Sequence, residues 1–187
     1  MIIPLVIVLV LILGLVAFGV TGFNRLRTAD IGAQEALGGV DVQLTRRADL
    51  IPNLVETVKG YAEHEKGLLE SVTAARTGLQ QAAAGSDVAA RAAAEAAMQA
   101  AMVRVNAVAE AYPDLKANTN FLELQRQLSD TEGQLSFARQ FYNDAVATLN
   151  KLTQTIPWMF FVGIAGVKPR PFYEAPAGQQ EPPKVQF

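Results

Sequence analysis

No ionisable side chain occurs between Met1 and Asn24, and Leu, Ile, Val, Phe, Ala and Gly fill almost all of Ile2–Gly22. A helix that crosses a bilayer needs about 20 such residues, each adding about 1.5 Å. The run therefore reads as a membrane span over residues 1–23, with Ile2, Leu5, Leu9, Leu13, Val16 and Val20 among its residues. The competing reading is a cleaved secretory signal, for which Ala17-Phe18-Gly19 offers a small-x-small site. No Lys or Arg precedes the run, however, and it exceeds the about 7–15 apolar residues of a signal core. An uncleaved anchor is the expectation. Arg25 and Arg27 follow the span and only the α-amino group precedes it, so the positive-inside bias puts the N-terminus outside and the rest of the chain in the cytoplasm.

That remainder, about 160 residues, is large enough for one domain with its own core. It carries all 16 Lys and Arg and all 18 Asp and Glu, for a net charge of −2. With no concentrated basic face, nucleic acid is excluded as an expected partner. The absence of cysteine removes disulfides, thiolate catalysis and Cys-based metal sites together.

Beyond the anchor the pattern is helical almost throughout. Phe121, Leu124, Leu128, Thr131, Leu135, Ala138, Tyr142, Ala145, Leu149, Leu152 and Ile156 recur at 3,4 spacing between Pro113 and Pro157, a one-sided stripe five heptads long. A helix of about 35–40 residues, some 55 Å, is implied, and it demands long partners. One is the stripe of Leu37, Val40, Leu44, Ile51, Leu54, Val58, Tyr61, Leu68, Val72, Ala75 and Leu79, in which Arg47 and Glu65 fill the two missing positions. Pro52 interrupts it, and Asp49 can cap a fresh helix, so a kink or restart is expected between Arg47 and Leu50. Another partner begins after Gly85 with Ser86 or Asp87 as N-cap and runs to Tyr112, with Met98, Met102, Val105, Ala109 and Tyr112 as its stripe. Short connections at Ala84-Gly85-Ser86 and Tyr112-Pro113-Asp114 imply antiparallel neighbours. The expected fold is all-α: an N-terminal transmembrane helix, an antiparallel bundle of three to four long helices over 24–157, and an extended C-terminal tail.

After Pro157 comes the apolar decapeptide Trp158–Val167, followed by Lys168-Pro169-Arg170-Pro171. Ten residues are too few to cross a bilayer as helix. The segment either folds back over the open end of the bundle or makes a membrane or subunit contact through Trp158, Met159, Phe160, Phe161, Val162 and Ile164. In the membrane case Lys168 and Arg170 meet anionic phosphates. The Pro- and Gly-rich stretch from Glu174 reads as extended.

Little in the chain suggests catalysis. His64, the only histidine, sits in Tyr61-Ala62-Glu63-His64-Glu65-Lys66 without a second ligand at i+4. A metal would need carboxylates from other helices, such as Glu110, Glu123 or Glu132, and a solvated helix histidine is the expectation. Ser71, Ser129 and Ser136 lack a strand-turn-helix elbow or a base, and no Gly-rich phosphate loop is present. Neither a metal nor another cofactor is expected. Arg46, Arg47 and Asp49 at the expected kink, and Arg139, Asn143 and Asp144 on the long helix, suit a structural polar network that pins bundle register. In that network Arg47, at a stripe position, would face inward towards a carboxylate; the alternative is that each is a flanking surface charge.

Val40–Glu65, VDVQLTRRADLIPNLVETVKGYAEHE, and Ala109–Asn150, AEAYPDLKANTNFLELQRQLSDTEGQLSFARQFYNDAVATLN, resemble the two signature blocks of the LemA family. The likeness continues through Lys168–Ala175, KPRPFYEA, and the terminal PKVQF. Local departures are Phe23-Asn24-Arg25-Leu26-Arg27, where the family tends to Tyr-Asn-x-Leu-Val, and the unusually apolar WMFFVGIAGV. The resemblance implies a bacterial inner-membrane protein with a single span, its N-terminus outside and a helical bundle in the cytoplasm; it brings no enzymatic activity. The expected function is that of a non-enzymatic scaffold, partnered by the lipid bilayer and by further copies of itself, since tethering in two dimensions makes weak lateral contacts sufficient. An adaptor for another membrane protein, such as a protease or signalling component, is the alternative.

Overall fold

The computed structural model describes residues 2–62 and 64–174, and among them there is helix but no strand. Six α-helices occur in the order α1 (Ile2–Lys59), α2 (Lys66–Ala84), α3 (Val88–Ala111), α4 (Pro113–Lys116), α5 (Thr119–Gln154) and α6 (Val162–Ala165), with a 3-10 turn at Trp158–Phe161 before the last. The fold is all-α. The apolar part of α1 is long enough to cross a membrane, its mean hydropathy reaching 3.1 over 18 residues with none of them buried. The C-terminal tail expected to be extended lies, from residue 175, outside the described residues.

By contacts the chain divides into two compact units. The first comprises Met1–Leu37 and Phe141–Phe172, the second Gly38–Gln140 and the chain from Tyr173.

The second unit is an up-down-up-down bundle. Arg47 of α1 bonds Glu132 of α5, and Tyr61 accepts from Asn118, so these helices are antiparallel. Glu95 of α3 meets Arg139 of α5, and Asn106 meets Gln125, another antiparallel pair. Leu54 and Val58 gather with Leu68 and Val72 of α2. Diagonally, Asp41 and Arg47 of α1 reach Arg91 and Gln99 of α3 and run parallel to it. Helix starts obey local chemistry. Asp87 accepts from the Ala89 amide at the head of α3, and Asn118 accepts from the Phe121 amide at the head of α5. Pro113 opens α4, where its missing N–H has no intrahelical acceptor.

The structure corrects several expectations. No restart occurs between Arg47 and Leu50, because α1 passes unbroken through Gly38, Gly39, Asp49 and Pro52. Pro52 has no N–H for the Ala48 carbonyl, and Nε of Arg76 in α2 donates to that oxygen instead, at 3.1 Å. The stripe from Leu37 to Leu79 is not one helix. α1 ends at Lys59, the Tyr61 and Ala62 amides both donate to Val58 O, and α2 returns antiparallel. Tyr61 consequently faces solvent while Ala62 is buried.

In α5 the buried face runs through Phe121, Leu124, Leu128, Thr131 and Leu135, then passes to Arg139, Tyr142, Val146 and Leu149. Ala138 and Ala145 are only half-buried, because a helix of 3.6 residues per turn drifts by about 20° per heptad off a strict seven-residue repeat. Ile156 is 73% exposed. It lies beyond the end of α5 and precedes Pro157, where helical geometry is disfavoured.

Candidate functional site

The largest concentration of buried charge lies in the second unit. Glu95, 1% exposed, receives Nη1 of Arg139 on one carboxylate oxygen and the Tyr173 hydroxyl on the other, the latter at 2.8 Å. Arg139 also approaches Glu132 at 3.4 Å, and Glu132 in turn accepts from Nη1 of Arg47 at 2.7 Å. Arg47, 3% exposed, gives its other terminal nitrogen to Gln99 at 2.8 Å. The result is an alternating chain, Tyr173–Glu95–Arg139–Glu132–Arg47–Gln99, that joins α1, α3, α5 and the segment after α6. A second bridge stands beside it. Arg91 meets both oxygens of Asp41 through Nε and Nη2, the bidentate fork that suits a guanidinium, and also donates to Gly85 O and Asp87 O at the α2–α3 turn.

Burial pushes the Glu95 carboxyl above its ordinary range, against the opposing pull of Arg139 and the Tyr173 hydroxyl. Burial, with the neighbouring Glu95 charge, likewise holds the Tyr173 phenol well above its usual value. Beside the chain a groove of about 360 Å³ is lined by Arg47, Gln99, Asn106, Gln125, Ser129 and Glu132 among others. Ser129 has no histidine or lysine there to serve as a base. The one carboxylate in the lining, Glu132, is engaged by two arginines, so the groove presents mainly amides.

Of the six residues named for a polar network, the structure joins Arg47 and Arg139 through Glu132. Arg46 is exposed and bonds Gln134, and Asp49 is exposed on α1. Asn143 is half-buried and Asp144 exposed, both in the first unit. Sequence reasoning missed Arg91, Glu95, Asp41 and Tyr173. A signal for two of them is present, since Arg91 and Glu95 continue the 3,4 spacing of Met98, Met102, Val105 and Ala109. His64 is exposed, and among the described residues no cluster of three or more His, Asp or Glu side chains could hold a metal.

The first unit holds the apolar segment against α1 at the end of the uncharged run. Phe18 packs edge-on to Phe161 with centroids 5.3 Å apart and lies 6.4 Å from Trp158. The guanidinium of Arg25 stacks 4.5 Å above the indole. Gly22 makes room for the Phe161 ring, because a Cβ there would sit 2.4 Å from it. Met159, Phe160 and Ile164 are exposed, Val162 half-buried, and Ala165 and Val167 buried.

Gly166, at φ +64°, ends α6 in the left-handed region and turns the chain. Lys168 stays exposed. Arg170, expected to meet phosphates, is bound otherwise. Its guanidinium pairs with Asp30 at 2.8 Å, and its backbone N–H and C=O both bond the Asn150 amide side chain. The Tyr142 hydroxyl donates to Pro171 O. Beside Trp158 lies a cavity of about 750 Å³ whose lining includes Arg25 and Lys151.

Residues 36–187 match the sequence pattern of the LemA family. The chain belongs to that family. Both the buried charge chain and the apolar segment of this LemA-family protein fall within the matched region, whereas the apolar run Ile2–Gly22 of α1 precedes it. Its relatives include the magnetosome protein MamQ of Magnetospirillum gryphiswaldense, 27% identical over 194 aligned residues covering 89% of this chain and 71% of that protein. Two further relatives, magnetosome proteins MamQ 2 and MamQ 1 of Paramagnetospirillum magneticum, are each 24% identical over the same shares. With its apolar helix, the chain is a membrane-associated member of the LemA family.

Proposed function

We propose that this protein is a membrane-anchored, non-enzymatic helical scaffold that associates side to side with further copies of itself and so organises the bilayer it sits in. The observation that carries this reading is the apolar surface left over outside the span. Phe137 and Phe141, four residues apart on α5, are 76% and 66% exposed, and Val42, Val103, Leu122 and Phe160 also face outward. Scattered exposed apolar residues are ordinary, but large aromatics repeated on a helix face mark contact surfaces. The charged side chains of the core, by contrast, are paired with one another and point away from catalysis.

Sizing and electron microscopy of the full-length protein in mild detergent and in lipid nanodiscs test the proposal. Assemblies well above a dimer are expected, reduced in size by Phe137→Glu with Phe141→Glu at unchanged helicity. A monodisperse monomer or dimer overturns it and favours the adaptor reading. The N-terminus is proposed to lie outside and the bundle in the cytoplasm of a bacterial inner membrane, because Arg25 and Arg27 come directly after the span.

A further inference from the structure

We propose that the cavity beside Trp158 is a binding site for the phosphate of an anionic phospholipid headgroup, an inference that rests on the reading of Ile2–Gly22 as a membrane span. Its two walls carry the same pattern. Thr21, Arg25 and Thr28 stand at i, i+4, i+7 on α1, while Thr148 and Lys151 on α5 and Thr155 just past its end stand at i, i+3, i+7, so each wall turns a cation flanked by hydroxyls towards the space. No Asp or Glu lines the cavity, and neither Arg25 nor Lys151 has an ion-pair partner among the described residues.

Two cations facing one space without a counter-charge repel each other, and an anion between them removes that repulsion. Thr21, Thr148 and Thr155 donate to carbonyls of their own helices. The donors left for a phosphate are therefore Lys151, the Thr28 hydroxyl, the Asn24 amide and the fork of Arg25, whose face is occupied by the indole but whose edge is not. Lys151 also lies in the last turn of α5, where it offsets the partial negative charge of that helix end.

Depth along the chain identifies the source of the phosphate. The cavity starts at Thr21, where the uncharged run gives out, and is flanked by Phe18 and Trp158, residue types that settle at headgroup level. A volume of about 750 Å³ suits a headgroup. A zwitterionic headgroup would bring its own cation towards Arg25 and Lys151, so the site favours lipids of net negative charge.

Trp158 is the only tryptophan, and its emission reports the site directly. Delipidated full-length protein in detergent is titrated with phosphatidylglycerol, with phosphatidylcholine, and with inorganic phosphate. Saturable binding of phosphatidylglycerol at least about tenfold tighter than of phosphatidylcholine is expected. That preference should be lost in Arg25→Gln with Lys151→Gln, and weakened in Lys151→Gln alone, an exposed position whose change leaves the helicity of the folded protein unaltered. Equal response to both lipids, or variants that bind phosphatidylglycerol like the parent, overturns the proposal. So does inorganic phosphate that matches the lipid's affinity, since the ligand is then free phosphate. Alkaline carbonate washing of reconstituted vesicles separates the two readings. Release of the protein sinks the span, whereas retention without headgroup preference sinks only this site.

Discussion

At the scale of single residues, the core of the second unit holds charges in places where a bundle ordinarily keeps leucine. Removing one member of a buried pair strands its partner, at a cost of about 3–5 kcal/mol. Arg139→Leu, which strands Glu95, should therefore destabilise by about that amount, read from denaturation of the detergent-solubilised protein. Tyr173→Phe deletes one hydrogen bond to a carboxylate and should cost about 1.5–3 kcal/mol. A cost near zero would show that Tyr173 does not hold Glu95 in solution.

Glu95 also makes a pH prediction. Its folded pKa is raised above the ordinary 4.5, chiefly by burial, so the folded state holds this proton more tightly than the unfolded one. The contribution is fully present below the unfolded value and is lost as pH rises through the raised one. The parent should thus gain stability relative to Glu95→Gln as pH falls from neutrality towards 4.5, and parallel curves for the two proteins would contradict the assignment.

At the scale of elements, Pro52 and Arg76 form a testable pair. The Ala48 carbonyl, deprived of its helical donor, accepts from Arg76. Arg76→Met should cost about 1 kcal/mol in the parent and measurably less in Pro52→Ala, where residue 52 regains an N–H. Additivity in this double-mutant cycle would mean the contact is incidental. Gly22 is constrained by the Phe161 ring, so Gly22→Ala should lower stability by about 1–3 kcal/mol through overpacking. Thermal unfolding tracked by circular dichroism checks this.

Elements were legible where periodicity and end signals agreed. Asp87, Pro113 and Pro157 marked boundaries of α3, α4 and α5 to within three residues. Periodicity misled at the α1–α2 reversal, because Val58, Tyr61, Glu65, Leu68 and Val72 keep 3,4 spacing across the turn, although only Val58, Leu68 and Val72 among them are buried. Pro52 misled in the opposite sense, since its compensating donor lies 24 positions away and leaves no local trace.

At the scale of the molecule, the uncharged run of α1 and the charged remainder require different solvents, and the proposed orientation can be tested from both ends. The sequence has no cysteine, so one cysteine introduced at Lys66 and another in a short polar tag added ahead of Met1 form a clean accessibility pair. In right-side-out vesicles an impermeant maleimide should label the tag and spare position 66, and the reverse pattern would invert the proposed orientation. Assembly, headgroup preference and orientation are separable readouts, because each addresses a different surface: exposed aromatics of α5, the Arg25–Lys151 cavity, and the flanking charges of the span.

Two things could be read from the sequence alone, the apolar length of the N-terminal run and the helical period of the residues beyond it, because both are set by neighbours along the chain and by the solvent each stretch requires. Which ionisable side chains are buried, and with whom, was decided only by tertiary structure. Glu95 and Arg139 stand 44 positions apart and Tyr173 a further 34 along, and desolvating any one of them is tolerable only when folding brings the others to it.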